Sequence, residues 1–158
     1  MAIQVGDSIP DANINILKDG VQAVSTGEFF KGRKVVLFAV PGAFTPTCSA
    51  KHLPGYIQLA EAFTAKGYDV ACLSVNDAFV MSAWAKSQNA PDSITMIADG
   101  NAEFTKALGL ELDATPFGMG LRAKRFALVA DDGKISQLFI EAPGEFSVSS
   151  AESVLSAL

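Results

Sequence analysis

The sequence predicts an α/β fold: a mixed central sheet with helices on both faces and an N-terminal β extension. Three observations carry that reading. Lys34 to Val40 (KVVLFAV) and Asp69 to Val75 (DVACLSV) are short, apolar and β-branched, as strands covered on both faces are. The stretch between them repeats apolar residues at helical spacing. Near the C-terminus, Arg125 to Ala130 and Ile135 to Ile140 flank Asp131-Asp132-Gly133, a hairpin turn.

The elements follow in order. Ala12 to Leu17 alternates apolar and polar residues, as a half-exposed strand does, and Lys18-Asp19-Gly20 then turns the chain. Thr26, Glu28 and Phe29-Phe30 suggest a short helical turn. A helix is expected from about Ser49 to Ala65, because Leu53, Tyr56, Ile57, Ala60 and Phe63 share one face. Pro54 predicts a kink within it, and Gly67 its end. Asn76-Asp77 is the expected cap of a helix carrying Phe79, Val80 and Trp84. Ile94 to Ala98 reads as a third core strand, and a short helix from about Asn101 to Leu108 stops at Gly109. Ser147 is the expected cap of a last helix running to about Ala157. Crossover helices make the first three core strands parallel, and the hairpin adds antiparallel ones. That is the layout of a thioredoxin-like fold with extra N-terminal elements.

Composition narrows the function classes. The chain has 158 residues, 49% of them apolar and 18% charged, which suits one folded domain spanning residues 1–158. Net charge is −5 without a basic cluster, so nucleic acid and anionic membranes are not expected partners. The segment Met1 to Asp7 lacks a basic region followed by an apolar stretch, so no secretory signal is expected, although a removed leader would leave the same start. The expected location is cytoplasmic, or organellar if a transit peptide was removed. Two cysteines fit a reducing compartment rather than a disulfide scaffold, and one histidine without Cys-x-x-Cys makes a structural zinc site an unexpected feature. No cofactor is expected.

Chemistry concentrates at Cys48. The run Pro41-Gly42-Ala43-Phe44-Thr45-Pro46-Thr47-Cys48-Ser49 links the most apolar strand to the following helix. Backbone N–H groups and the helix dipole at such a junction favour an anion, here a thiolate. Thr45, three residues earlier, brings a hydroxyl within reach of the sulfur or of a substrate oxygen. Pro41 and Pro46 stiffen the loop and remove N–H donors, and the Pro41 and Phe44 rings shield the sulfur. A fixed cation would complete the site. Arg125 opens a strand expected beside the central one, but Arg122 and Lys124 compete, and spacing does not choose among the three. A thiolate, a hydroxyl and a guanidinium together suit attack on an O–O bond, leaving a cysteine sulfenic acid.

These residues resemble the peroxiredoxins, in their type II or class-five branch. The loop resembles the family's Pro-x-x-x-Thr-x-x-Cys signature, and the likeness continues through Lys51 to Gly55, Cys72 to Val80, Lys124 to Leu128 and Asp132-Gly133, covering about residues 3–158. The resemblance implies Cys48 as peroxidatic cysteine, with Pro41, Thr45 and Arg125 completing the site. The family's arginine directly precedes the Phe-x-Leu strand, hence Arg125. It implies thiol-dependent reduction of hydrogen peroxide and alkyl hydroperoxides, with glutaredoxin or thioredoxin as reductant and a homodimer whose surface draws on Phe44, Phe79, Leu112, Phe117 and Met119. Two departures leave regeneration open: no cysteine follows Cys72, and no glutaredoxin segment is present.

Cys72 carries two readings. It lies mid-strand, where a small thiol packs well, whereas the family likeness offers a resolving role. A disulfide needs Cα atoms within roughly 7 Å, so resolution would require rearrangement. His52, one turn beyond Cys48, is expected to make a structural hydrogen bond rather than act as a base. Thr45 also suits a helix cap, and Arg125 a surface cation. Two other functions compete with a peroxidase: a thiol–disulfide oxidoreductase, disfavoured without Cys-x-x-Cys, and a redox sensor that passes oxidation to a partner.

Overall fold

The computed structural model describes residues 2–158. β1 (Asn13–Leu17) and β2 (Val21–Ser25) form a hairpin, and α1 (Thr26–Phe30) follows with Ser25 as its cap. β3 (Lys34–Ala39) leads through a loop to a single π-helical turn, Cys48–His52, then α2 (Leu53–Gln58) and α3 (Ala60–Ala65). Next come β4 (Asp69–Ser74), α4 (Ala78–Ser87), β5 (Ile94–Ala98) and α5 (Glu103–Leu108). β6 (Glu111–Asp113) and β7 (Leu121–Ala123) enclose a short 3-10 turn, Thr115–Phe117. β8 (Phe126–Asp131), β9 (Lys134–Ile140) and α6 (Ala151–Ser156) complete the chain.

Seven strands join in the order β2-β1-β5-β4-β3-β8-β9. β3, β4 and β5 are parallel neighbours, while β8 runs antiparallel to both β3 and β9. The β8–β9 turn places Asp132 and Gly133 at positive φ (49° and 79°), the geometry that Asp-Gly pairs supply at least cost. This is the expected mixed, thioredoxin-like sheet with its N-terminal β extension.

Strand alternation sorts the core into two layers. Val35, Leu37 and Ala39 of β3 face Phe29 and Phe30 of α1 and Phe104 and Leu108 of α5. Val36, Phe38 and Val40 face Cys48, Tyr56, Phe63, Trp84 and Val154 on the opposite side. The runs KVVLFA and DVACLS therefore read as continuously apolar because both of their faces are covered. No helix among the described residues is long and apolar enough to cross a membrane.

Three local expectations need correction. The helix expected from Ser49 to Ala65 is three pieces. Pro54 lacks an N–H, and the turn just before it widens so that the Leu53 N–H donates to the Cys48 carbonyl instead of the residue four back. A second bend follows at Leu59 (φ −101°, ψ 10°) rather than at Pro54 itself. The last helix is capped not by Ser147 but by Ser150, whose Oγ accepts from the Ser153 N–H; Ser147 lies earlier, in the turn whose N–H groups bond the Glu141 carboxylate. The β6–β7 hairpin went unforeseen.

Candidate active site

The loop from Val40 to Thr47 is pinned at both ends before Cys48 is reached. Val40 N–H still pairs with Leu73 of β4 (3.0 Å), and Ala43 N–H donates to Asn76 Oδ1 (3.0 Å), which also accepts from Ser74 Oγ (2.6 Å). Gly42 lies against the Arg122 guanidinium. A Cβ at that position would meet Arg122 Nη1 and Thr45 Cγ2, each at 3.1 Å, so any larger residue would have to push these two side chains aside by a few tenths of an ångström. Arg122 itself donates to the Met119 carbonyl (3.0 Å) and Val75 carbonyl (3.4 Å), fastening three loops together. Phe44 sits at φ 64°, with its ring 56% exposed. The Trp84 indole N–H donates to Ser49 Oγ (3.0 Å) and ties the π-helical turn to α4.

Cys48 opens that turn and is fully buried. Arg125 immediately precedes β8, and the register pairing Ala39 with Phe126 brings it to the end of β3 where the Cys48 loop departs. Its guanidinium divides its arms: Nη2 donates to Cys48 Sγ at 3.1 Å, and Nη1 meets His52 Nδ1 at 2.8 Å. The three-way choice among cations thus resolves by geometry. Arg122 serves the loops, Lys124 points outward, and Arg125 reaches the sulfur. Arg125 thus places a fixed positive charge and a directed N–H beside the sulfur.

Thr45 Oγ1 donates to the Gly42 carbonyl at 2.7 Å, so its proton is committed and its lone pairs remain available to accept. Pro41, Thr47, Lys51 and Arg125 border an open cavity of about 700 Å³, with Leu112, Phe117 and Met119 on its apolar side. Arg125 thus meets Cys48 directly, Pro41 borders the same cavity as Arg125, and Thr45 is turned back onto the Gly42 carbonyl of the loop. Cys72 does not join the guanidinium. It lies mid-β4, opposite Phe38 of β3 and Met96 of β5, fully buried and free. Burial pushes its thiol well above the ordinary range, and the nearby Cys48 sulfur acts in the same direction.

Sequence reasoning left a second tier outside the candidate list. His52 is fully buried and packs against Phe38 (5.0 Å between centroids) and edge-on against Phe146 (5.1 Å). Burial, reinforced by the adjacent Arg125 charge, lowers its pKa to about 3. Glu141 accepts from the N–H groups of Ser147 (2.7 Å) and Ser149 (2.8 Å) and from Ser149 Oγ (2.7 Å). Burial raises its pKa, but these bonds outweigh it and leave the carboxyl below its ordinary value. The spacing of His52, four residues past Cys48, was a usable signal. Glu141 and Ser149 carried none.

Comparisons with known proteins agree with this geometry. Residues 4–155 match the Redoxin family. Peroxiredoxin-2E-2, chloroplastic, of Oryza sativa subsp. japonica is 52% identical, over 99% of this chain and 72% of that protein. Peroxiredoxin-2B of Arabidopsis thaliana is 49% identical, over 99% of this chain and 98% of that protein. The crystal structure of reduced Prx3 from Vibrio vulnificus in complex with hydrogen peroxide superposes with a TM-score of 0.94 at 54% identity, covering 98% of each chain. A buried sulfur bonded to a guanidinium, on a thioredoxin-like sheet shared with these relatives, places the chain in the peroxiredoxins, type II branch, as a thiol peroxidase.

Proposed function

We propose that the enzyme reduces hydrogen peroxide and alkyl hydroperoxides at Cys48 through a sulfenic acid, and that an external thiol restores it. The observation that carries this reading is the 3.1 Å bond from Arg125 Nη2 to Cys48 Sγ. The thiolate attacks the terminal oxygen of the hydroperoxide, an S–O bond forms, and the O–O bond breaks. The remaining oxygen leaves as hydroxide or alkoxide and takes a proton from solvent. Sulfur loses two electrons, and the peroxide gains them as water or alcohol. Arg125 steadies charge as it moves from sulfur to the leaving oxygen. Thr45 Oγ1, its own proton held by Gly42, accepts from the peroxide O–H and orients it. Pro41, which borders the cavity beside Arg125, is the proposed wall between the sulfur and bulk water. The hydrogen peroxide in the Vibrio vulnificus relative's structure supports the same substrate here.

Regeneration uses two reducing equivalents. A first thiol attacks the sulfenic sulfur and releases water. A second thiol attacks the mixed disulfide and frees Cys48. Glutaredoxin or thioredoxin is the proposed source. Cys72 serves as a core thiol, fully buried in mid-β4 between β3 and β5. A reducing compartment, the cytoplasm or an organelle, suits both free sulfurs. Exposed Phe44, Phe79 and Phe117 (56%, 67% and 79%) with Leu112 and Met119 support a homodimer through the face near the active site.

Peroxide consumption with dithiothreitol, glutaredoxin or thioredoxin tests the reading. Cys48→Ser should abolish it and Cys72→Ser should not. Wild-type turnover by Cys48→Ser refutes the site, and loss of turnover in a folded Cys72→Ser refutes the external-thiol route.

A further inference from the structure

The Arg125 guanidinium is shared between two partners, and only one of them is the reacting sulfur. Arginine has donors and no acceptor. His52 Nδ1, 2.8 Å from Nη1, must therefore be the acceptor, and the ring proton must reside on Nε2. Nε2 lies 3.0 Å from the Ser149 carbonyl and donates to it. The partners alone thus settle the tautomer.

We propose that His52 is a positioning residue for the peroxidase reaction, holding one arm of Arg125 through Nδ1 so that the other arm stays on the Cys48 sulfur. The proposal rests on the reading of Cys48 as the attacking sulfur. Cys48 and His52 are the first and last residues of the same π-helical turn, so one wide turn presents both partners to one guanidinium. The far side of the ring is fixed as well. Ser149 belongs to a segment organised by the buried Glu141 carboxylate, and Phe146 of that segment faces both His52 and Arg125, its ring centroid 5.9 Å from the guanidinium carbon.

Ser149's carbonyl does not explain His52. The Tyr56 hydroxyl already donates to it at 2.8 Å, so that oxygen would keep a partner without the imidazole. Among the described residues, the arm of Arg125 on Nδ1 has no other acceptor. An acceptor there also has to stay unprotonated, because a proton on Nδ1 would confront the guanidinium. Burial and the Arg125 charge keep it bare across the neutral range.

Two measurements test the role. The chain has a single histidine, so the imidazole 15N spectrum of the whole protein reports His52 alone. From pH 5 to 8 it should show a bare, hydrogen-bonded Nδ1 and a protonated Nε2, and Arg125→Leu should move the Nδ1 resonance to its unbonded position. A protonated Nδ1, or no response to Arg125→Leu, overturns the proposal without involving Cys48. The second measurement compares His52→Leu with His52→Asn, whose amide oxygen can accept where Nδ1 does. His52→Leu should slow both Cys48 oxidation by hydrogen peroxide and its alkylation by iodoacetamide at pH 6 by about 10- to 100-fold, the scale of misplaced catalytic groups. His52→Asn should stay within about threefold of wild type, because it keeps the acceptor. Wild-type rates in His52→Leu, with Arg125→Leu still impaired, overturn the positioning role and leave the Cys48 reading standing. Equal slowing by both variants, with equally lowered melting temperatures, assigns His52 to packing and overturns the proposal too. Peroxide consumption by Cys48→Ser would instead refute the underlying reading.

Discussion

The π-helical turn after β3 and the middle of β4 each hold a fully buried cysteine in the same apolar layer, yet their surroundings differ. Cys72 is flanked by Phe38 and Met96 on neighbouring strands, and burial suppresses its ionisation. Cys48 has the same burial but also a guanidinium arm at 3.1 Å and a position at the start of a helical segment. Burial therefore does not distinguish the two sulfurs. A single directed donor does, supplied by Arg125 just before β8, which the β3–β8 register brings to the end of β3.

The contrast can be broken most completely by removing the sulfur. Cys48→Ser should lower peroxide turnover by about a thousandfold or more, the scale for loss of a nucleophile, as read by loss of peroxide absorbance with a thiol reductant. Removing the donor should come next. Arg125→Ala is expected to slow Cys48 oxidation about 100-fold, as loss of a preorganised charge-stabilising donor does. Arg125→Lys should rescue little of it, since one ammonium lacks the fork that reaches sulfur and imidazole together. Thr45→Val should cost about tenfold, because it deletes one acceptor for the substrate but leaves the sulfur's own partner in place. Stopped-flow kinetics on the reduced enzyme would rank all three.

A pH series sharpens the same contrast from the side of stability. His52 has a folded pKa of about 3 against an ordinary 6.5, so the unfolded chain binds the extra proton first as pH falls. Its contribution to stability is fully present above pH 6.5 and is lost on the way down to about pH 3, with a slope of at most ~1.4 kcal/mol per pH unit. Chemical denaturation at pH 7, 5 and 4 should show that slope, and His52→Asn should flatten it. The smallest effect belongs to the other region. Cys72→Ala should keep turnover with an external thiol and lose only about 1 kcal/mol of stability, the scale of a methyl-sized cavity.

The sequence disclosed what local chemistry decides. Lys34 to Val40, Asp132-Gly133 and the Cys48 loop each announce their structure within a few residues. Elsewhere, partners far along the chain decide. Ser147 was the expected cap of the last helix, but the Ser147 and Ser149 N–H groups bond the Glu141 carboxylate and the helix begins only after Ser150. The β6–β7 strands have three residues each, too few for periodicity to register. Arg122, Lys124 and Arg125 are equivalent by spacing, and only the β3–β8 register separates them. His52 makes the structural hydrogen bond expected of it, to the Ser149 carbonyl, but its contact with Arg125, 73 residues away, left no local trace.

The most direct test follows both sulfurs in one sample. The reduced native protein is exposed to a small excess of hydrogen peroxide at pH 7, quenched over time, and each cysteine is quantified by peptide mass spectrometry. Cys48 should pass to sulfenic acid while Cys72 stays a thiol until the protein is unfolded. Equal oxidation of the two, a Cys48–Cys72 disulfide as the first product, or a Cys48 that stays reduced while peroxide disappears would contradict the account.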